Sequence, residues 1–429
     1  MISKAKGTGW VVFALACFSF AAWFGAHSER KDVSDAFRPM RLDAPPGVRF
    51  VTVALGGFRG LLADMLWVRA SELQDRGSFF EVAQLADWIT RLEPRYPEVW
   101  IYHAWNMAYN ITAVVPDPSD RWHWVMNGIR LLRDEGIPSN PGDPKLYWEL
   151  GWLYFDKVGG RWDEAKMFYR ISWAREMSER MGGGMLNHAV LAEHPEMSRA
   201  FTEIGLNPEV MKAMDESYGP LDWRLPETHA MYWGFKGRPY QKPDARWCDR
   251  LVWMGLTESM KNGHLVFLPE RKIYQQGPRL DLAIKGVRRL SEEKQYADSL
   301  TGLVANRFLR ESTVYLYAFG RKADAEVALK ELRRSSGGTE GRASLDDFVK
   351  QEVGQAEALS SISKRDRVVG FLARADIWRR LKVPEYGEGF EQLARLYWDA
   401  LVKTDHQTPD TDWETVTRLA HERSLSEMP

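Results

Sequence analysis

Only two of the 429 residues are cysteine, Cys17 and Cys248, and Cys17 falls inside a hydrophobic N-terminal run, so the two do not pair. A disulfide framework and a cysteine-based metal site are both excluded. Charge of one sign is also missing: 58 basic residues stand against 59 acidic ones, a formal charge of -1. Without a strong positive field the chain is not built to hold nucleic acid. The phosphate-loop pattern, the His-Glu zinc helix and the serine elbow are absent. The two glycines of "KGTGW" precede an apolar run rather than joining a strand to a helix. No catalytic residue, cofactor or metal is expected. What the chain does have is 45% apolar and 27% charged residues, the balance of a folded protein. It also has 19 tryptophans, a residue suited to ridges between packed helices and to binding surfaces.

Residues 9–26, "GWVVFALACFSFAAWFGA", run for eighteen residues without a charge. As a helix this segment is about 27 Å long, close to the hydrocarbon core of a bilayer. Lys4 and Lys6 precede it, the form of an export signal. Phe20 and Phe24 occupy places where cleavage wants small residues, which favours a retained anchor. Arg30, Lys31, Arg38 and Arg41 follow the run and, counted strictly, would hold the body inside. The short basic tail before the run argues the other way, for a body on the periplasmic or extracytoplasmic side. Residues 49–68 are interrupted by Arg59 and Asp64 and read as a buried helix of the body, not a second span.

Past residues 32–48, a linker containing "DAPPG", the spacing is helical. Phe79, Val82, Ala86 and Ile89 form one stripe of a helix. Trp162, Ala165, Tyr169 and Ser172 repeat the spacing, as do Lys322, Ala325, Leu329 and Leu332. A glycine stands shortly before each: Gly77, Gly160 and Gly320. The preceding helices match one another too, with a small residue between large ones: Leu66–Ala70–Leu73, Trp100–Ala104–Met107 and Tyr147–Gly151–Tyr154. A small residue there lets another helix approach closely. Pro94 and Pro141 each close a second helix ahead of the next first helix.

This arrangement resembles the tetratricopeptide repeat, a helix-turn-helix unit of about 34 residues that stacks into a superhelix. The likeness is best in "LWVRASELQDRGSFFEVAQLADWITRLEP", "EVWIYHAWNMAYN" and "LYWELGWLYFDKVGGRWDEAKMFYRISWA". It covers residues 63–182, with an echo at 309–333. The second unit departs from the pattern through the stretch "TAVVPDPSD", the third through extra residues at Gly159 and Gly160. Arg69 and His103 stand where the family prefers Leu. The resemblance implies an all-α, TPR-like α-solenoid.

"GGG" at 182–184 breaks the array. Residues 183–245 read as an irregular middle segment of short helices and loops, with Asn207 a cap and Pro208 in the first turn that follows. Residues 246–429 read as a less regular helical region, with a capping box at Ser344 and Asp347 and a short strand or hairpin in "HLVFLPERKIYQQG". The organisation expected is a signal anchor at 1–31, a linker at 32–48, repeats at 49–182, the middle segment at 183–245 and a helical domain at 246–429.

Few clusters could carry chemistry, and each has a plainer reading. His188 and His194, with Glu193 and Glu196, read as surface polar residues rather than metal ligands. "DPSD" at 117–120 reads as a helix cap, and "NIT" at 110–112 is a glycosylation pattern of low specificity. "DWRLPETH" gathers Asp222, Arg224, Glu227 and His229, a group that either ties a turn by ion pairs or serves a pocket.

One constellation remains. A second line lies one residue beyond the packed line of the first helices: Trp67; Ile101, Trp105 and Tyr109; Trp148, Trp152 and Phe155. One residue is about 100° of rotation, so these side chains point away from the paired second helix. The tetratricopeptide resemblance implies that this face lines a concave groove for peptides or partner helices. The line lacks the Lys and Asn pattern with which some relatives hold a carboxylate. The groove is either open to a partner or filled by the chain's own middle segment or C-terminal helices. The function expected is a membrane-anchored scaffold, held by residues 9–26, that binds a protein partner or envelope complex through this groove. The alternatives are an envelope enzyme or ligand-binding protein with a pocket between the repeats and residues 218–233, and a self-assembling structural protein.

Overall fold

The computed structural model describes residues 59–428 apart from 161, 241–242, 293–298, 338–340, 342, 359–363 and 405–411. The expected anchor and linker lie outside the described residues. Among those residues, no helix is long and apolar enough to cross a membrane.

The described chain is helical throughout except for one hairpin. α1 (Arg59–Asp75) and α2 (Phe79–Leu92) are joined by a tight turn. α3 starts at Pro97–Trp105 and runs through a π-helical turn, Asn106–Ile111, to Val114. α4 starts at Pro118–Arg130 and passes a second π turn, Leu131–Gly136. α5, Pro144–Trp152, ends in a third, Leu153–Val158. α6 is Lys166–Met181. Short helices α7 (His188–Glu193), α8 (Pro195–Thr202) and α9 (Pro208–Tyr218) lead to α10 (Pro226–Gly237) and α11 (Ala245–Asn262). β1 (His264–Leu268) and β2 (Ile273–Gly277) pair antiparallel, His264 opposite Gly277 and Leu268 opposite Ile273. α12 (Leu280–Glu292), α13 (Ser299–Ala318), α14 (Lys322–Ser335), α15 (Leu345–Ala358), α16 (Lys364–Arg380), α17 (Pro384–Thr404) and α18 (Trp413–Glu427) complete the order.

Local chemistry sets the helix ends. Gly77 and Gly320 sit in the turns before α2 and α14 at φ of 73° and 77°, a left-handed conformation that costs glycine nothing. The side chain of Asn207 accepts from the backbone N–H groups of Glu209 and Val210, at 2.9 and 3.1 Å, and Pro208 fills the first helical position. Asp117 caps α4 in the same way through Ser119 and Asp120. Ser344 accepts from the N–H of Asp347 and donates its hydroxyl to that carboxylate. The stripe Val82, Ala86 and Ile89 is buried on α2, and Ala325, Leu329 and Leu332 are buried on α14. The third stripe departs from expectation. Trp162 is 85% exposed, and the helix begins only at Lys166. Asp163 causes the delay: its carboxylate accepts from the N–H of Ala165 and pairs with Lys157 at 2.5 Å, holding the chain in a loop. The face that α6 buries then runs Tyr169, Trp173, Met177 and Met181, not through Ser172.

The small residues do mark close approaches, but not all to the same kind of partner. A Cβ on Gly128 of α4 would stand 2.9 Å from the carbonyl oxygen of Ala104, so α3 and α4 touch backbone to backbone. Gly151 of α5 faces α10 and α11 instead of α6. A Cβ there would lie 2.5 Å from Leu251 and 3.0 Å from the carbonyl oxygen of Ala230. The α10–α11 pair therefore docks on α5 as a further helix pair, and one hydrophobic core continues from Ile89 to Leu396. That core crosses residues 183–245 without a break. A smaller cluster closes α16, α17 and α18 at the C-terminal end.

A ridge of half-exposed aromatics on parallel helices

α3 and α5 present equivalent residues 47 positions apart. Pro97 and Pro144 each occupy the first turn of a helix. The indole of Trp100 donates to the carbonyl of Pro94 at 2.8 Å, and the hydroxyl of Tyr147 donates to that of Pro141 at 3.0 Å. Contacts across the two helices keep the same interval: Lys145 meets Glu98 at 2.7 Å and the Tyr109 hydroxyl donates to Asp156 at 2.9 Å, each pair 47 residues apart. A constant interval at both ends of two helices means that they run side by side, parallel and in register. The π turns Asn106–Ile111 and Leu153–Val158 are in matching places.

On this frame the two predicted lines separate cleanly. The inner line, with Trp100, Ala104 and Met107 on α3 and Tyr147, Gly151 and Tyr154 on α5, is buried. One residue on, Ile101, Tyr109, Trp148, Trp152 and Phe155 are half-exposed against the core, as is Trp67 on α1. Trp105 is 38% exposed. The rings are organised by mutual contact. Trp67 meets Tyr102 edge-on at 4.6 Å between centroids. Trp105 stacks on Tyr109 at 4.4 Å, and Trp148 on Trp152 at 5.4 Å. Trp152 continues to Phe155 at 5.8 Å. The middle segment does not bury this line, because α10 takes the Gly151 face of α5. Trp247 of α11, from the C-terminal region, meets the margin of the ridge at Trp148, 5.9 Å between centroids.

Polar groups between the rings were not singled out from the sequence. Glu149 lies on α5 between Trp148 and Trp152, and its carboxylate accepts from the Trp105 indole at 2.7 Å. Burial pushes this carboxyl up to about 7, opposed only in part by the Trp105 hydrogen bond. Burial, with Asp156 beside it, raises the Tyr109 hydroxyl well above the usual tyrosine range. The Lys157 ammonium lies 5.1 Å from the centre of the Tyr109 ring and is tied to Asp163 and Thr112. Arg250 lies 4.6 Å from the Trp247 ring. Tyr102, Glu149, Asp156 and Trp247 thus belong to the same surface. The 47-residue interval was the signal for Asp156. Trp247, in "ARWCDR", gave none because α11 comes from a distant part of the chain.

The second candidate cluster has the opposite character. Asp222, Arg224, Glu227 and His229 are all buried. Arg224 grips Asp222 with two bonds, at 2.9 and 2.6 Å, and reaches the carbonyl of Leu265 at 3.1 Å. Glu227 pairs with Arg170 of α6. His229 lies 2.8 Å from the carbonyl oxygen of Trp223 and is wedged between Tyr154 and Trp173. Burial pushes its imidazole down to about 4. His188 does not meet His194. Its Nε2 lies 2.6 Å from Asp215, which also accepts from the Trp223 indole at 3.0 Å, while His194 lies beside Glu196 at 2.8 Å. Among the described residues no group of three potential ligands could hold a metal ion. No family model matches the chain, and no curated protein and no solved structure is similar to it.

Proposed function

We propose that the chain is a membrane-anchored helical-repeat scaffold that binds a protein partner or envelope complex through the ridge of Trp67, Ile101, Trp105, Tyr109, Trp148, Trp152 and Phe155. The observation that carries this reading is the half-exposure of an ordered aromatic surface across parallel, in-register helices. Rigid rings lose little freedom on binding and bury much apolar area, which suits them to anchor a partner. The helix pairs stacked from α3 to α11 support an α-solenoid of tetratricopeptide type, and the 18-residue apolar run at 9–26 supports an anchor with the body on the extracytoplasmic side. π turns, which recur at functional sites, underlie the ridge on both helices. The alternative, a pocket between the repeats and residues 218–233, has less support because Asp222, Glu227 and His229 are each buried against a structural partner.

The test is a double variant, Trp105→Ala with Trp148→Ala, assayed by crosslinking and capture from membranes, with melting curves beside it. Loss of capture by a double variant that still folds and melts cooperatively supports the scaffold; capture of the same partners by that variant removes the ridge from the binding reaction. A reporter active only outside the cytoplasm, fused after residue 429, tests the topology.

A further inference from the structure

Resting on that reading of the ridge, we propose that its occupant is a basic, extended segment of a partner protein, with a lysine or arginine side chain laid against Trp105, Trp148 and Trp152 and paired with Glu149. Rings of this kind attract cations through their electron-rich faces. The chain itself uses them so at both margins of the ridge, where Lys157 lies over Tyr109 and Arg250 over Trp247.

The charges complete the argument. The basic side chains that α5 contributes to this face are already engaged by other carboxylates: Lys145 by Glu98, and Lys157 by Asp163. Among the described residues, no lysine or arginine pairs with Glu149 or with Asp156. Each instead accepts a hydrogen bond from a ridge ring, Glu149 from Trp105 and Asp156 from Tyr109. Glu149 is thus a half-buried carboxylate set among aromatic rings with no counter-cation of its own. A cation arriving from a partner would gain the rings and the carboxylate together, whereas an acidic segment would meet repulsion from both. Glu149 and Asp156 lie seven residues apart on one helix, about 10 Å along its axis. Same-face side chains of an extended peptide recur at about 7 Å, within the reach of two flexible lysines.

The experiment uses the full chain in a non-ionic detergent and follows tryptophan fluorescence. The probes are an end-blocked nonapeptide of alternating Lys and Ser, its Glu-Ser counterpart, and soluble phosphocholine as a source of quaternary ammonium. The expected result is saturable binding of the lysine peptide alone. Glu149→Gln, which keeps the shape of the side chain and does not lower the melting temperature, should weaken it roughly tenfold, and Trp105→Ala with Trp148→Ala should weaken it further. Equal binding of both peptides, unchanged affinity in Glu149→Gln, or binding of phosphocholine in place of peptide would overturn the proposal. The broader reading fails separately. If the double Trp variant loses capture from membranes while the lysine peptide never binds, the ridge remains a docking surface and its preference for cations is wrong. If capture and peptide binding both survive the double variant, both readings fall.

Discussion

Two stretches of this chain are dense in the residue types that carry chemistry, and the fold treats them in opposite ways. "DWRLPETH" has an acid, a base and a histidine within eight residues, yet all of them are buried and serve as ties. The ridge of α1, α3 and α5 is mostly aromatic, the material of a core, yet it stays half-exposed. Titratable residues close in sequence therefore say little until their solvent access is known. Burial makes Asp222 and Arg224 a fixed strut, because separating the pair would leave one charge desolvated. Exposure leaves the ridge rings with contact area that no element of the described body covers.

The sharpest way to break the comparison is to disturb the seat that both regions share. Gly151→Leu drives a side chain into Leu251 and the Ala230 carbonyl, where α10 and α11 meet α5. It should cost on the order of 4 kcal/mol or more and abolish cooperative melting, because the Ala230 backbone cannot retreat and the Leu251 side chain is itself fully buried. Ala104→Trp should act likewise between α3 and α4, where Gly128 approaches Ala104. A normal melting curve for either would mean that these helices are less closely seated than described.

Next in size is Asp222→Ala, which leaves Arg224 buried without its bidentate partner. Denaturant unfolding should show a loss of about 3–5 kcal/mol. A stable variant that had lost cellular function would instead favour a reactive pocket at residues 218–233. The ridge variants should be milder. Trp105→Ala and Trp148→Ala should each cost about 1–2 kcal/mol, below the ~3–5 kcal/mol of a fully buried aromatic, while partner capture collapses. If each costs as much as Asp222→Ala, the ridge is part of the core and the contrast between the regions disappears.

The smallest effects lie in pH, where the two regions should respond in opposite senses. Burial holds the Glu149 carboxyl up at about 7, against roughly 4.3 in an unfolded chain. Between those values the folded chain binds the extra proton, so this group's contribution falls as pH rises. Glu149→Gln removes the dependence: its melting temperature should exceed that of the native chain at pH 8 and equal it at pH 4. His229 is pushed down to about 4, against roughly 6.5 unfolded. There the unfolded chain binds the extra proton, so the contribution is complete above about 6.5 and is lost as pH falls toward 4. Replacing His229 by Gln should flatten the acid side of the stability profile. Parallel pH responses at the two sites would show that their surroundings differ less than the structure indicates.

Much of the local architecture was legible in the amino-acid sequence, because it rests on interactions within a few residues. Stripe spacing placed α2 and α14, Asn207 and Asp117 announced their helix starts, and the hairpin at 264–277 was visible in an apolar run broken by "PER". The boundary of α6 was missed because Asp163 serves both Ala165 beside it and Lys157 on the preceding helix. The aromatic line could be read as a line, since one residue of rotation on a helix separates it from the buried positions. Whether its rings were covered could not, because coverage depends on where distant residues come to rest, such as Ala230 beside Gly151 and Trp247 beside Trp148.

The sequence by itself determined a mostly helical body, its turns and caps, the small residues that permit close packing, and the face on which the aromatics lie. These follow from backbone sterics and the 3.6-residue period, which act at short range. Only the tertiary structure decided that Gly151 receives α10 instead of α6, that Trp247 joins the ridge, that Glu149 sits among rings with no counter-cation among the described residues, and that "DWRLPETH" is buried. Those outcomes depend on solvent exclusion by segments distant in the chain. Desolvation turns Asp222 into a strut beside Arg224 and pushes the Glu149 carboxyl up, according to what packs beside each.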